Sequence, residues 1–131
     1  MKDLISVADL TGDQVRELVS QALRIKQGKI KGSTLLKGKI LALIFEKPSL
    51  RTRVSFEVAM EQLGGHAIYL SPAEVGLGTR EPVQDIALVL SRFVSGIAAR
   101  TFAHDTVQQL ARFAPIPVIN ALSDFEHPCQ A

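Results

Sequence analysis

Six consecutive apolar residues, Ile40-Leu-Ala-Leu-Ile-Phe45, run straight into a polar turn and a helix-like segment. A strand with one wet face alternates apolar and polar residues, and this run does not alternate. It therefore predicts a strand buried on both faces, as in a parallel sheet covered by helices. The remaining pattern agrees. Ala67–Leu70, Gly96–Ala99 and Pro117–Asn120 read as three further short strands, and helical spacings separate them. Strands alternating with helices predict a three-layer α/β domain: a four-stranded parallel sheet flanked by helices, with right-handed crossovers.

The helices carry recognisable ends. Thr11-x-x-Gln14 reads as a capping box, and Val15, Leu18, Val19, Ala22 and Leu23 follow helical spacing until Gly28. Lys29–Gly38 reads as a linker, and the lysines around it (26, 29, 31, 37 and 39) as a solvated loop. A second helix starts near Leu50. Its expected buried stripe is Phe56, Ala59, Met60 and Leu63, and Gly64-Gly65 stops it. Ser71–Glu81, with Pro72, Gly76 and Gly78, reads as a mobile loop. Pro82 suits the first turn of a helix whose inner face is Val83, Ile86, Ala87 and Leu90. Val107, Leu110, Ala111 and Ala114 line a last helix that Pro115 ends.

In open parallel sheets ligands bind beyond the carboxyl ends of the strands. Four polar groups follow those ends here: Ser49–Arg53, the Gly-rich loop, Arg100 and His127. The Ser49-Leu-Arg-Thr-Arg53 turn places free amides, the helix dipole, Arg51 and Arg53 at one helix mouth, with hydroxyls from Ser49, Thr52 and Ser55. That is suited to a phosphate, although an N-cap with two solvated arginines has the same residues. Arg51 is expected to face the anion, and Arg53 to brace the turn through Glu46 or Glu57. Arg100, at the end of an apolar strand, must find an acceptor: a ligand, or Asp105 or Asp124. His127, restricted by Pro128, is either a ligand group or a capped loop histidine. His66 and His104 read as surface or turn residues.

Composition narrows the classes. A net charge of +2 with no Lys/Arg run argues against nucleic acid. No apolar run reaches the ~20 residues of a membrane span. One cysteine, Cys129, excludes an internal disulfide, fits a reducing cytoplasmic setting and reads as a packed small residue rather than a nucleophile. No Gly-x-Gly-x-x-Gly follows the first strand, and the three histidines lack ligand spacing, so neither a dinucleotide cofactor nor a metal is indicated.

Phe45-Glu-Lys-Pro-Ser-Leu-Arg-Thr-Arg-Val-Ser-Phe-Glu57 closely resembles the carbamoyl-phosphate motif of the aspartate and ornithine carbamoyltransferases. Leu63-Gly-Gly65, Gly78-Thr-Arg-Glu-Pro82 with Asp85, Leu90-Ser-Arg92, Arg100-Thr-Phe102 and His127-Pro-Cys-Gln130 resemble the family in the same order. Arg-Thr-Phe and the cysteine of His-Pro-Cys-Gln are similar to the ornithine branch. Thr79 stands where the aspartate branch usually has a lysine.

The resemblance implies a carbamoyl-phosphate-binding domain over 1–131, the amino-terminal half of a two-domain enzyme that forms homotrimers or their multiples. Ser49, Arg51 and Thr52, with the Leu50 amide, would hold the phosphate. Arg100 would bridge phosphate and carbonyl, His127 would bond the carbonyl oxygen, and Gln130 the carbamoyl amino group. It implies no metal, cofactor or covalent intermediate. The implied reaction is carbamoyl transfer from carbamoyl phosphate to the δ-amino group of L-ornithine, giving citrulline and phosphate. Another amino acid as acceptor, or a non-catalytic anion-binding or assembly module, are the alternatives. Two departures stand out. Leu50 replaces a hydroxyl residue common in the family, and Gly76 occupies a loop position that often serves a neighbouring subunit.

Overall fold

The computed structural model describes residues 1–130. Its four strands are β1 (Ile40–Phe45), β2 (His66–Leu70), β3 (Gly96–Arg100) and β4 (Val118–Leu122), all parallel, in the order β2-β1-β3-β4. Five helices accompany them: α1 (Gly12–Lys26), α2 (Leu50–Gln62), α3 (Pro72–Val75), α4 (Val83–Leu90) and α5 (His104–Phe113). The chain leaves β1 for β2 on one side, then crosses back to β3 on the other. The direction of winding therefore reverses between β1 and β3, where an open α/β sheet leaves a crevice at its carboxyl edge.

Burial explains the layers. In a strand, alternate residues face opposite sides. Ala42, Ile44, Ile97, Ala99 and Val118 pack with Ile86, Ala87, Val107 and Leu110 of α4 and α5. Leu41, Leu43, Phe45 and Ala98 pack on the other side with Met60 and Phe56 of α2. The expected three-layer sheet is therefore present, and β1 is buried on both faces. Among the described residues no helix is long and apolar enough to cross a membrane.

Several local expectations need correction. Ser71–Glu81 contains α3, whose Ser71 and Glu74 form a capping box and whose C-cap Gly76 is left-handed at φ 52. The Ser71-x-x-Glu74 pattern was the available signal, outweighed by Pro72, Gly76 and Gly78. Pro82 is the N-cap of α4 rather than part of its first turn. β2 begins one residue early, at His66, and β4 runs two residues past Asn120. Ala59 is exposed: it lines an open depression beside Phe56, Met60, Gly96 and Ile119, which no other described residue fills.

α1 has its capping box, with Thr11 and Gln14 bonded reciprocally, yet none of its residues is buried. Its stripe, including Leu18, Val19 and Leu23, faces outward. The amino-terminal strap is better anchored. Leu4 donates to Val118 O at 2.9 Å and accepts from Asn120 N at 2.8 Å, extending the sheet past β4.

Candidate functional site

The carboxyl ends of β1 and β3 form the centre of the site. Phe45 and Arg100 are register partners, and Glu46 N donates to Arg100 O at 2.8 Å. A side chain adds to this backbone link: Glu46 Oε1 accepts from Phe102 N at 3.1 Å. The turn after β1 and the turn after β3 are thereby joined.

The turn after β1 opens α2. Ser49 is its N-cap in extended conformation, but the hydroxyl makes no capping bond and stays available. Arg53 N is bonded back to Ser49 O, so the amides of Leu50, Arg51 and Thr52 precede the helical ladder. Thr52 is buried, whereas Leu50 and Arg51 are exposed. This combines a helix N-terminus, a free hydroxyl and a mobile full charge, which suits a doubly charged oxyanion.

Arg53 turns away, as its spacing from Arg51 predicts. Its Nε donates to Glu57 Oε1 at 3.1 Å, and its guanidinium carbon lies 3.8 Å from the centre of the Tyr69 ring. The brace is Glu57; Glu46 is occupied by Phe102. Ser55 also leaves the site, since its hydroxyl bonds back to Thr52 O at 2.8 Å within the helix.

Arg100 pairs with neither Asp105 nor Asp124. Asp124 instead accepts from the His104 amide at 2.8 Å, capping α5. Arg100 Nη1 reaches Pro48 O at 3.4 Å, a long contact that places the guanidinium against the mouth of α2. His127 approaches from the loop after β4. Both its ring nitrogens are buried and have no hydrogen-bond partner among the described residues. Burial, and secondarily the Arg100 charge, hold the imidazole below its ordinary value of 6.5. The ring is therefore neutral at pH 7, and it lies near enough to Arg100 to feel its charge. Gln130 ends a short 3-10 turn, Pro128–Gln130, and is exposed.

The edge thus brings together Ser49, Leu50, Arg51, Thr52 and Arg100, with His127 beside Arg100. A cavity of about 200 Å³ adjoins it, lined by Phe45, Glu46, Gly76, Thr79 and Phe102 among others. Cys129 is exposed as a residue, but its sulfur turns onto Asn120 O at 3.6 Å and burial pushes the thiol upward. A raised thiol is mostly protonated at neutral pH, which disfavours a nucleophile, while the exposure of the residue departs from the packed position expected of it. The sequence reading overlooked Asn120, Ser123 and His104. His104 Nδ1 meets Ser123 Oγ at 2.8 Å, so His104 braces the loop that carries His127 rather than idling at the surface.

The fold and this edge define an α/β anion-binding domain, built to take a phosphate group beside a strand-end arginine. A family model described as the carbamoyl-P binding domain of aspartate/ornithine carbamoyltransferase matches residues 2–131. The chain belongs to that aspartate/ornithine carbamoyltransferase family. The ornithine carbamoyltransferase of Thermus thermophilus is 55% identical over 130 residues, covering 99% of this chain and 43% of that protein. A crystal structure of ornithine carbamoyltransferase from Thermus thermophilus superposes with a TM-score of 0.91 at 54% identity, over 99% of this chain and 45% of that one. An N-acetyl-L-ornithine transcarbamylase mutant complexed with carbamyl phosphate and N-succinyl-L-norvaline is 36% identical, with a TM-score of 0.88. The chain thus spans less than half the length of these relatives.

Proposed function

We propose that this chain is the carbamoyl-phosphate-binding domain of an ornithine carbamoyltransferase, and that residues 1–131 act as one unit. The observation that carries the reading is Arg100 at the mouth of α2, with the two buried His127 ring nitrogens, unpartnered among the described residues, close enough to feel its charge. A plain phosphate site needs only the helix mouth. A carbonyl-reading group needs donors next to it.

In this reading Ser49, Arg51, Thr52 and the Leu50 amide hold the phosphate. Arg100 reaches both phosphate and carbonyl oxygens, because a guanidinium can fork onto two acceptors. The neutral His127 ring donates its one N–H to the carbonyl oxygen. Gln130 accepts from the carbamoyl amino group.

The reaction assigned to the whole protein is attack by the neutral δ-amino nitrogen of L-ornithine on the carbamoyl carbon. A C–N bond forms, the C–O bond to phosphate breaks, and the proton lost by the amine leaves on the departing phosphate. Citrulline and phosphate leave. Charge grows on the carbonyl oxygen in the tetrahedral state, and Arg100, Thr52 and His127 stabilise it as an oxyanion site does. The catalytic residues are those three. The step needs no metal, cofactor or covalent enzyme intermediate, and the setting we assign to it is arginine metabolism in the cytoplasm.

A homo-oligomer, a trimer or its multiple, completes the proposal. Leu50, Val54 and Val58 lie four residues apart on α2 and are 76%, 45% and 46% exposed. An apolar stripe of that length on a helix favours contact with another copy.

The deciding experiment is calorimetry of this chain with carbamoyl phosphate, with inorganic phosphate as reference. Binding at least about tenfold tighter than phosphate, or ~1.4 kcal/mol, is expected. Equal binding would reduce the domain to an anion site. The substrate is tested on the longer protein, by product formation from ornithine, N-acetylornithine and aspartate in parallel.

A further inference from the structure

Among the described residues the His127 ring has no hydrogen-bond partner, so none of them sets its direction through the ring. A functional imidazole is ordinarily oriented by the bond that its second nitrogen makes. Here the aim of the ring must come from the backbone that carries it, the loop Ser123–Glu126 after β4.

That loop is organised by two buried polar side chains. Asn120 is wholly buried and Ser123 is 7% exposed. The Asn120 amide nitrogen donates to Ile5 O at 3.0 Å and to Glu126 O at 3.2 Å, and lies 3.4 Å from Ser123 Oγ. Its Oδ1 accepts from Leu122 N at 3.0 Å. Ser123 Oγ in turn meets the amides of Phe125 and Glu126, each at 3.3 Å, and His104 Nδ1 at 2.8 Å. Glu126 is the residue before His127, so both side chains act on the peptide next to the imidazole.

The same asparagine acts on Arg100. The β3–β4 register pairs Ala99 with Asn120 but Arg100 with Leu122, leaving Ala121 as an extra residue. This is a bulge, and bulges redirect the chain at the end of a pairing. Asn120 Oδ1 holds the Leu122 amide inside that bulge, and Leu122 O accepts from Thr101 N at 2.9 Å. One buried amide thus links the strand end bearing Arg100 to the loop bearing His127.

We propose that Asn120 and Ser123 are positioning residues that aim His127 beside Arg100, and so set discrimination of carbamoyl phosphate from phosphate. The idea rests on the functional reading above. The pair touches no ligand. A buried amide with its donors satisfied is costly to replace: alanine removes the Asn120 donor from Ile5 O and leaves Glu126 O held by Ser123 alone.

The test uses Asn120→Ala and Ser123→Ala in this chain, with Val94→Ala, buried before β3 at the opposite edge of the sheet, as a core-weakened control remote from the loop. Each is titrated with carbamoyl phosphate and with inorganic phosphate, and the His127 ring is followed by NMR through a pH titration. Both variants should lose about tenfold in affinity for carbamoyl phosphate while phosphate binding stays within about twofold. The His127 ring signals should shift, and its midpoint should move toward 6.5. Val94→Ala should keep the preference. Should Asn120→Ala fail to fold, Ser123→Ala decides. Variants that retain both the preference and the unaltered His127 spectrum overturn the proposal, as does an equal loss of phosphate and carbamoyl phosphate binding. If the unmodified chain shows no preference between the ligands, the functional reading has failed. The ring spectra then decide the clamp: moved signals uphold it, and unmoved signals overturn it.

Discussion

Glu46 Oε1 accepts the amide hydrogen of Phe102 across 56 residues of sequence, tying the turn that opens α2 to the turn that follows Arg100. The bond is exposed, so its net worth is modest. Glu46→Ala should cost about 1 kcal/mol in denaturant unfolding. It should also loosen the spacing between the two turns and weaken carbamoyl-phosphate binding. Glu46→Gln keeps an acceptor and should recover most of both. Identical behaviour of the two variants in calorimetry would argue that the tie does not hold the site.

The two arginines of α2 should separate cleanly. Arg51 is exposed at the helix mouth and makes no ion pair among the described residues, whereas Arg53 is spent on Glu57 and Tyr69. Arg51→Ala should remove a charge-assisted contact and lower phosphate affinity about tenfold or more. Arg53→Lys keeps the charge but loses the planar stack and the fork. It should leave phosphate affinity within about threefold and lower stability by ~1 kcal/mol. Larger loss of phosphate binding in Arg53→Lys than in Arg51→Ala would reverse these assignments.

Gly64 ends α2 at φ 87, and a Cβ there would lie 2.3 Å from Ser33 O, a backbone atom. Both the left-handed conformation and the close approach exclude a side chain. Gly64→Ala should destabilise the domain by about 2 kcal/mol or more, measured by thermal or urea unfolding. A loss under about 0.5 kcal/mol would show that the Ser33 segment yields easily.

How much of this was legible beforehand follows from what kind of signal each residue carries. Ile40–Phe45 announced a doubly buried strand because six apolar residues without alternation have few other uses. Helical spacing gave Arg53 a bracing role but left Glu46 and Glu57 both open as partners, and the structure gives Glu57. Asn120 and Ser123 were invisible because buried polar hubs have no period; they are recognised only once Ile5 and Glu126 are seen around them. α1 shows the opposite limit. Its periodicity correctly gave a helix, but periodicity cannot say whether a partner covers the apolar side, and here none of it is buried. Ala59 fails for the same reason, since it lines a depression that no other described residue fills.

The uncovered stripe on α2 makes an assembly prediction. Leu50, Val54 and Val58 are exposed at successive helical turns. If copies of the chain meet there, sedimentation should show association that increases with concentration. Val54→Glu should abolish it by placing a charge in the contact, without loss of helicity, because glutamate is a good helix former. A strict monomer at high concentration would remove this face from the assembly.

His127 makes the pH prediction. Its imidazole is held below 6.5, chiefly by burial and further by the charge of Arg100. The unfolded chain therefore takes up its proton at a higher pH than the folded one. Above 6.5 both states are neutral and His127 contributes no pH dependence. As pH falls below 6.5 and through the lowered folded value, the unfolded state is favoured and stability is lost. His127→Gln should flatten the stability profile in that window while leaving it unchanged at pH 8. Ligand binding should follow a related course. A protonated ring beside Arg100 adds like charge at the edge, and Arg100→Met should raise the His127 midpoint in an NMR titration. A midpoint that does not move on removing Arg100 would mean that the guanidinium and the imidazole do not share one site.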